Sequence, residues 1–198
     1  MMTSERSLAW IVILAIVAIV FTMCSSPNAN AGELDAWEFN ICGINTKDFQ
    51  DRQWHKIALG AVSSLAVHEL GHIVVSELNG SSTSVRWDSS GPIVWSVSDK
   101  PLSNDRLALY SAAGFISQTI VGAALVAIPK TRHLDFTFGF TSYSSVNSVT
   151  YAITDGTVDY ASDTQNIDKY GYDGTTIALG TGVINGALSW VSLNKDNQ

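Results

Sequence analysis

Between Ile57 and Ser76 the chain reads IALGAVSSLAVHELGHIVVS, twenty residues of small and apolar side chains interrupted only by His68, Glu69 and His72. A stretch of this length is long enough to cross a bilayer as a helix. It also carries three ionisable groups where burial is costly, so those groups need partners. On an α-helix, positions 68 and 72 stand one above the other on the same face. Two imidazoles so placed can bind one zinc ion, each nitrogen about 2.0–2.1 Å from the metal. Glu69 then falls beside the water that zinc acidifies, where a carboxylate can take the water's proton and hand it to a leaving amine. The chemistry predicted by this spacing is peptide-bond hydrolysis.

Composition narrows the alternatives. The 198 residues suit one domain and one processed segment. With 11 Lys+Arg against 18 Asp+Glu, a net charge of −7 and no basic run, the chain cannot neutralise many phosphates, which argues against nucleic acid as its partner. Charged residues make up 15% of the chain, against about 25% in ordinary soluble domains, so its polar surface is thin. Cys24 and Cys42 are the only cysteines, too few for a disulfide framework. Together with the scattered His55, His68, His72 and His133 they also make a closed four-ligand structural zinc site hard to assemble. No Gly-x-Ser-x-Gly elbow supports a serine hydrolase, and Gly171, Gly174 and Gly180 form no phosphate-binding loop. His55 and His133 read as surface residues and Cys42 as a small buried one.

Residues 1–31 look like an address: Arg6 precedes the apolar run Leu8 to Met23, Ser25-Ser26-Pro27 breaks it, and Ala29-Asn30-Ala31 supplies small residues for cleavage. The expectation is a signal peptide or, if uncleaved, an N-terminal anchor helix, followed by one unit over 32–198. Gly32 to His55 reads as an extramembrane segment. After the motif helix, Gly80 marks a turn, and two alternating arms, Thr83 to Trp87 and Pro92 to Val97, flank Asp88-Ser89-Ser90-Gly91 as in a β-hairpin. Ser103 is placed to cap a second apolar helix, Leu107 to Pro129, whose many small residues suit close packing in lipid. Phe136 to Ile153, diluted by Ser and Thr, and Thr175 to Leu193, punctuated by glycines, are weaker spans. The expected fold is mainly α: a multi-helix membrane-embedded bundle with a short β-hairpin after the His-Glu-x-x-His helix.

The run Val67-His68-Glu69-Leu70-Gly71-His72-Ile73, with the Gly80 turn, the hairpin and Ser111-Ala112-Ala113-Gly114-Phe115 in a second apolar helix, resembles the site-2 protease family of intramembrane zinc metalloproteases. The resemblance covers residues 55 to 165. It implies zinc held by His68, His72 and an aspartate from a later transmembrane helix, with Glu69 as general base. Asp155, Asp159 and Asp163 all fall in the expected part of the chain. Asn147 precedes Asp155-Gly156 by the family's interval, but Thr150 stands where the family has proline. Ser162-Asp163 matches the Ser/Gly-Asp pair of divergent members, which favours Asp163 over Asp155. Spacing alone does not choose, because the three aspartates would share one helical face.

The implied function is a zinc-dependent endopeptidase cutting a membrane protein or peptide substrate in or near its membrane segments. Its expected location is a membrane, a bacterial inner membrane, or outside the cell if the chain is soluble. Ser63, Ser64, Gln118 and the 155–163 segment are expected to line a polar cavity beside the histidines. The hairpin edge could align an extended substrate strand. Two rivals stand beside this reading: a secreted soluble metallopeptidase whose apolar segments form core helices, and a zinc-binding membrane scaffold without catalysis.

Overall fold

A computed structural model describes residues 40–41, 44–45, 52–88, 91–97, 102–155 and 162–194. The leader expected over 1–31, Cys42, Gly156 and Asp159 lie outside the described residues. The described chain is mainly helical. Strands β1 (Asn40–Ile41) and β2 (Ile44–Asn45) form a minimal antiparallel pair. Helix α1 (Trp54–Leu78) is followed by β3 (Ser82–Asp88) and β4 (Gly91–Val97), antiparallel in a register running from Ser82 opposite Val97 to Asp88 opposite Gly91. Next come α2 (Asn104–Ala127), the single turn α3 (Pro129–Arg132), α4 (Asp135–Thr154), the short α5 (Asp163–Lys169) and α6 (Gly174–Leu193).

The helix ends follow local chemistry. Ser103 caps α2 by accepting from the Arg106 backbone N–H, and Asp173 caps α6 through the Thr176 N–H at 2.8 Å. Helix α1 stops at Gly80, whose φ of +71° suits a residue without a Cβ. There the Gly80 N–H donates to the Glu77 carbonyl at 2.9 Å and the Ser81 N–H to the Ser76 carbonyl at 3.0 Å.

Helices α1, α2 and α6 are long and apolar enough to cross a membrane. Among the described residues α4 does not reach that measure, although the Phe136 to Ile153 region does form a helix. Its position explains the difference. Helix α4 packs against α1, α2 and α6, so its neighbours are mostly protein. Its Thr137, Thr141, Ser144 and Ser148 are fully buried. Their hydroxyls can be satisfied by the helix itself, as when Thr141 donates to the Thr137 carbonyl at 2.9 Å.

The burial pattern is the reverse of a water-soluble core. Buried polar side chains outnumber buried apolar ones, while Leu59, Val62, Leu70, Val74, Ile120, Ile153 and Val183 are exposed. Along α1 the buried positions are Gly60, Ser64, His68, Gly71, His72 and Ser76. Contact between α1 and α4 is backbone to backbone: a Cβ at Gly60 would overlap the Phe136 carbonyl, and one at Gly139 the Ile57 carbonyl. Close approach through small residues is how helices associate where lipid removes the hydrophobic drive between them.

One end of the bundle is tied by Arg52, just ahead of α1. Its guanidinium donates to Asp135 Oδ1 at 2.9 Å and to the Leu193 carbonyl at 3.1 Å, joining the start of α4 to the end of α6. Asp135 Oδ2 accepts from the Gln53 backbone N–H at 2.9 Å, and Phe138 lies under the guanidinium.

Candidate metal centre

His68 and His72 reach the bundle interior because α1 turns its small face to α2. Gly71 lies against the Ala113 carbonyl and Gly114 against the His68 ring. The slot is closed by aromatic rings: the His68 centroid stands 5.4 Å from Phe115, edge to face, and 5.9 Å from Tyr151, stacked at 29°. His72 sits 5.0 Å from His68 and 5.2 Å from Tyr110, centroid to centroid. A Cβ on residue 114 would stand within 2.5 Å of both His68 ring nitrogens. Gly114→Ala is therefore expected to push His68 out of its slot and to cost about 1–3 kcal/mol of stability, as overpacking does. Thermal unfolding of the variant beside wild type measures this.

Asp163 comes from the other end of the chain on α5, and several contacts fix that helix. Ser162 and Gln165 form a reciprocal capping box, which sets Asp163 as the first helical residue. Ile167 is fully buried in a cluster with Ala112, Phe115 and Ala178. Asp168 Oδ1 accepts from the Gly174 backbone N–H at 2.7 Å, and Gly174 leaves no room for a Cβ against the Thr164 backbone. So held, Asp163 Oδ2 lies 3.0 Å from His68 Nε2 and 3.4 Å from His72 Nε2.

These three residues form a group that could hold a metal ion, their ligand atoms all within 4.8 Å of one another. The geometry suits a single ion: two ligands each about 2.0–2.1 Å from a tetrahedral zinc stand about 3.3 Å apart. The outer ring nitrogens are already engaged, His68 Nδ1 with Gln118 Oε1 at 3.2 Å and His72 Nδ1 with the Tyr110 carbonyl at 2.8 Å. Both Nε2 atoms are thereby left for the Asp163 side, as second-shell acceptors arrange in metal sites.

The other expected positions divide. Glu69 is half-buried on the same turn of α1, within electrostatic reach of His68, His72 and Asp163. Asp155 is not brought into the group. It caps the C-terminal end of α4, where its Oδ2 accepts from the Thr175 hydroxyl at 2.7 Å on the first turn of α6 and its Oδ1 is buried without a hydrogen-bond partner. Asp163 sits on a seven-residue helix, whereas the resemblance implies an aspartate on a transmembrane helix. Ser64 and Gln118 do not line a cavity: both are fully buried and bonded to each other. Gly114, Tyr110 and Tyr151 were not singled out as site residues from sequence. The Ser-x-x-Gln box ahead of α5 was a readable signal for where Asp163 would sit. No protein-family model, curated protein or solved structure matches the chain.

Proposed function

We propose that the protein is a membrane-embedded zinc endopeptidase, with His68, His72 and Asp163 as metal ligands and Glu69 as general base. The observation that carries this reading is the meeting of two imidazoles and one carboxylate beside a half-buried glutamate. Two nitrogens and one oxygen are a donor set typical of catalytic zinc, which keeps its fourth position open for water or substrate. Zinc bound there supplies positive charge that polarises a substrate carbonyl and lowers the pKa of the attacking water. The chain's own groups do the rest. Glu69 takes the proton of that water and delivers it to the departing nitrogen. The Gln118 and Tyr110 oxygens hold the two imidazoles in place.

The substrate is a peptide bond presented inside the membrane. His72 and His68 lie six and ten residues from Leu78, the end of α1, so about 9 and 15 Å along it at 1.5 Å per residue. With Leu78 at one edge of a hydrocarbon core about 30 Å thick, His68 would fall near its middle and His72 about a third of the way in. The exposed leucines, valines and isoleucines of α1, α2 and α6 favour lipid over water around the bundle, which weighs against the soluble peptidase.

Elemental analysis of the purified protein tests the site. The expected result is one zinc per chain in wild type and in Asp155→Asn, and none in His72→Ala or Asp163→Asn. Wild type without zinc after metal-replete preparation, or zinc kept in Asp163→Asn, overturns the ligand set.

A further inference from the structure

The hydrogen bonds behind His68 run in one direction. Gln118 stands 3.2 Å from the Ser64 backbone carbonyl, which can only accept, so the atom facing it must be the amide NH2. The same NH2 donates to Ser64 Oγ at 2.8 Å. Gln118 Oε1 therefore faces His68, 3.2 Å from Nδ1, and an amide oxygen can only accept. Beyond it the chain continues: Ser64 Oγ contacts Ser144 Oγ at 2.7 Å, and Ser144 donates to the Phe140 carbonyl at 2.8 Å. Ser64, Gln118 and Ser144 are all at 0% exposure, so water does not replace a missing partner.

Resting on the zinc reading above, we infer that Gln118 is a positioning residue that sets the tautomer of His68, locking the proton on Nδ1 and leaving the Nε2 lone pair for the metal. Packing cannot make this choice. Phe115, Tyr151 and Gly114 fix the plane of the ring but do not distinguish its nitrogens. The amide does, and it cannot flip, because a flip would set its oxygen against the Ser64 carbonyl. His72 differs: its Nδ1 partner is the Tyr110 backbone carbonyl, which no side-chain change removes. His68 is thus the ligand whose tautomer depends on a replaceable side chain, one contributed by α2 and buttressed from α1 and α4.

The test is zinc affinity of the full chain in detergent, by competition with a chelator, for wild type, Gln118→Met and Gln118→Glu. Methionine fills the space without an oxygen. Its affinity is expected to fall by about 10–100-fold, the usual cost of losing a second-shell partner. Buried glutamic acid in its neutral form keeps a carbonyl oxygen toward Nδ1 and an O–H donor toward the Ser64 carbonyl, so Gln118→Glu is expected to stay within about threefold of wild type. Cobalt(II) in place of zinc gives a spectroscopic check: visible bands unchanged in Gln118→Glu and shifted in Gln118→Met. A purely structural role would weaken both variants alike, so parallel losses overturn the inference, as does wild-type affinity in Gln118→Met. If Gln118→Met does not fold, Gln118→Asn keeps an amide but draws its oxygen back from His68 Nδ1 by one methylene. It is expected to weaken zinc several-fold, and unchanged affinity there overturns the inference too. Wild type without zinc removes the metal reading together with this one, whereas zinc bound equally by all the variants removes this one alone.

Discussion

Glu69→Gln is expected to bind zinc as wild type does and to lose hydrolysis by about 10²–10⁴-fold, the span over which a positioned general base contributes. The proposed ligand atoms are those of His68, His72 and Asp163, so the glutamate can change without touching them. Glutamine keeps the size of the side chain and its acceptor oxygen but cannot take a proton at neutral pH. Cleavage of single-span peptides in proteoliposomes, measured beside zinc content, separates the two properties. Zinc retained with activity lost is the outcome expected. Activity retained would remove Glu69 as base, and a wild type that binds zinc without cleaving any peptide would favour the non-catalytic scaffold.

Arg52→Ala is expected to destabilise the bundle by about 3–5 kcal/mol, the cost of removing one partner from a buried ion pair. The Arg52 side chain is 2% exposed and that of Asp135 15%, so the carboxylate left behind would be poorly hydrated. The guanidinium also serves the Leu193 carbonyl, one of the acceptors that a helix leaves unpaired at its C-terminal end. At about 2–4 °C per kcal/mol for a chain of this size, the melting midpoint should drop by roughly 10 °C. Asp135→Asn, which keeps an oxygen for Arg52, should cost less. Equal midpoints for wild type and Arg52→Ala would mean that the ends of α4 and α6 are held by other contacts.

Much of the site was legible because its signals are local. The spacing of His68 and His72 needs only one turn of helix, and Ser103 and Gly80 mark helix ends by their own side-chain and backbone chemistry. The choice among the aspartates turned on distant contacts. Asp155 and Asp163 are equally acidic in sequence, but one meets Thr175 and the other meets two imidazoles 91 and 95 positions away. Gln118 and Ser64 read as polar interruptions fit for a wet cavity, because nothing in the sequence says that each is the other's partner. The hydroxyl-rich α4 read as a diluted span for a similar reason: hydropathy scores a residue against lipid, and α4 is surrounded largely by its neighbours.

The placement of Asp163 on a short helix late in the chain sets an order of assembly. His68 and His72 are aligned as soon as α1 forms, near the start of the described bundle. Asp163 arrives only when α5 has docked, through Ile167 on α2 and through Asp168 on the first turn of α6. A nascent chain thus carries a two-nitrogen half-site until its last helices are in place. Metal binding to the completed site adds to folding free energy, because the unfolded chain has no preformed site. On the proposed zinc reading, metal capture would then be the closing event of biogenesis, and a partly inserted chain would stay chemically silent beside the membrane proteins around it.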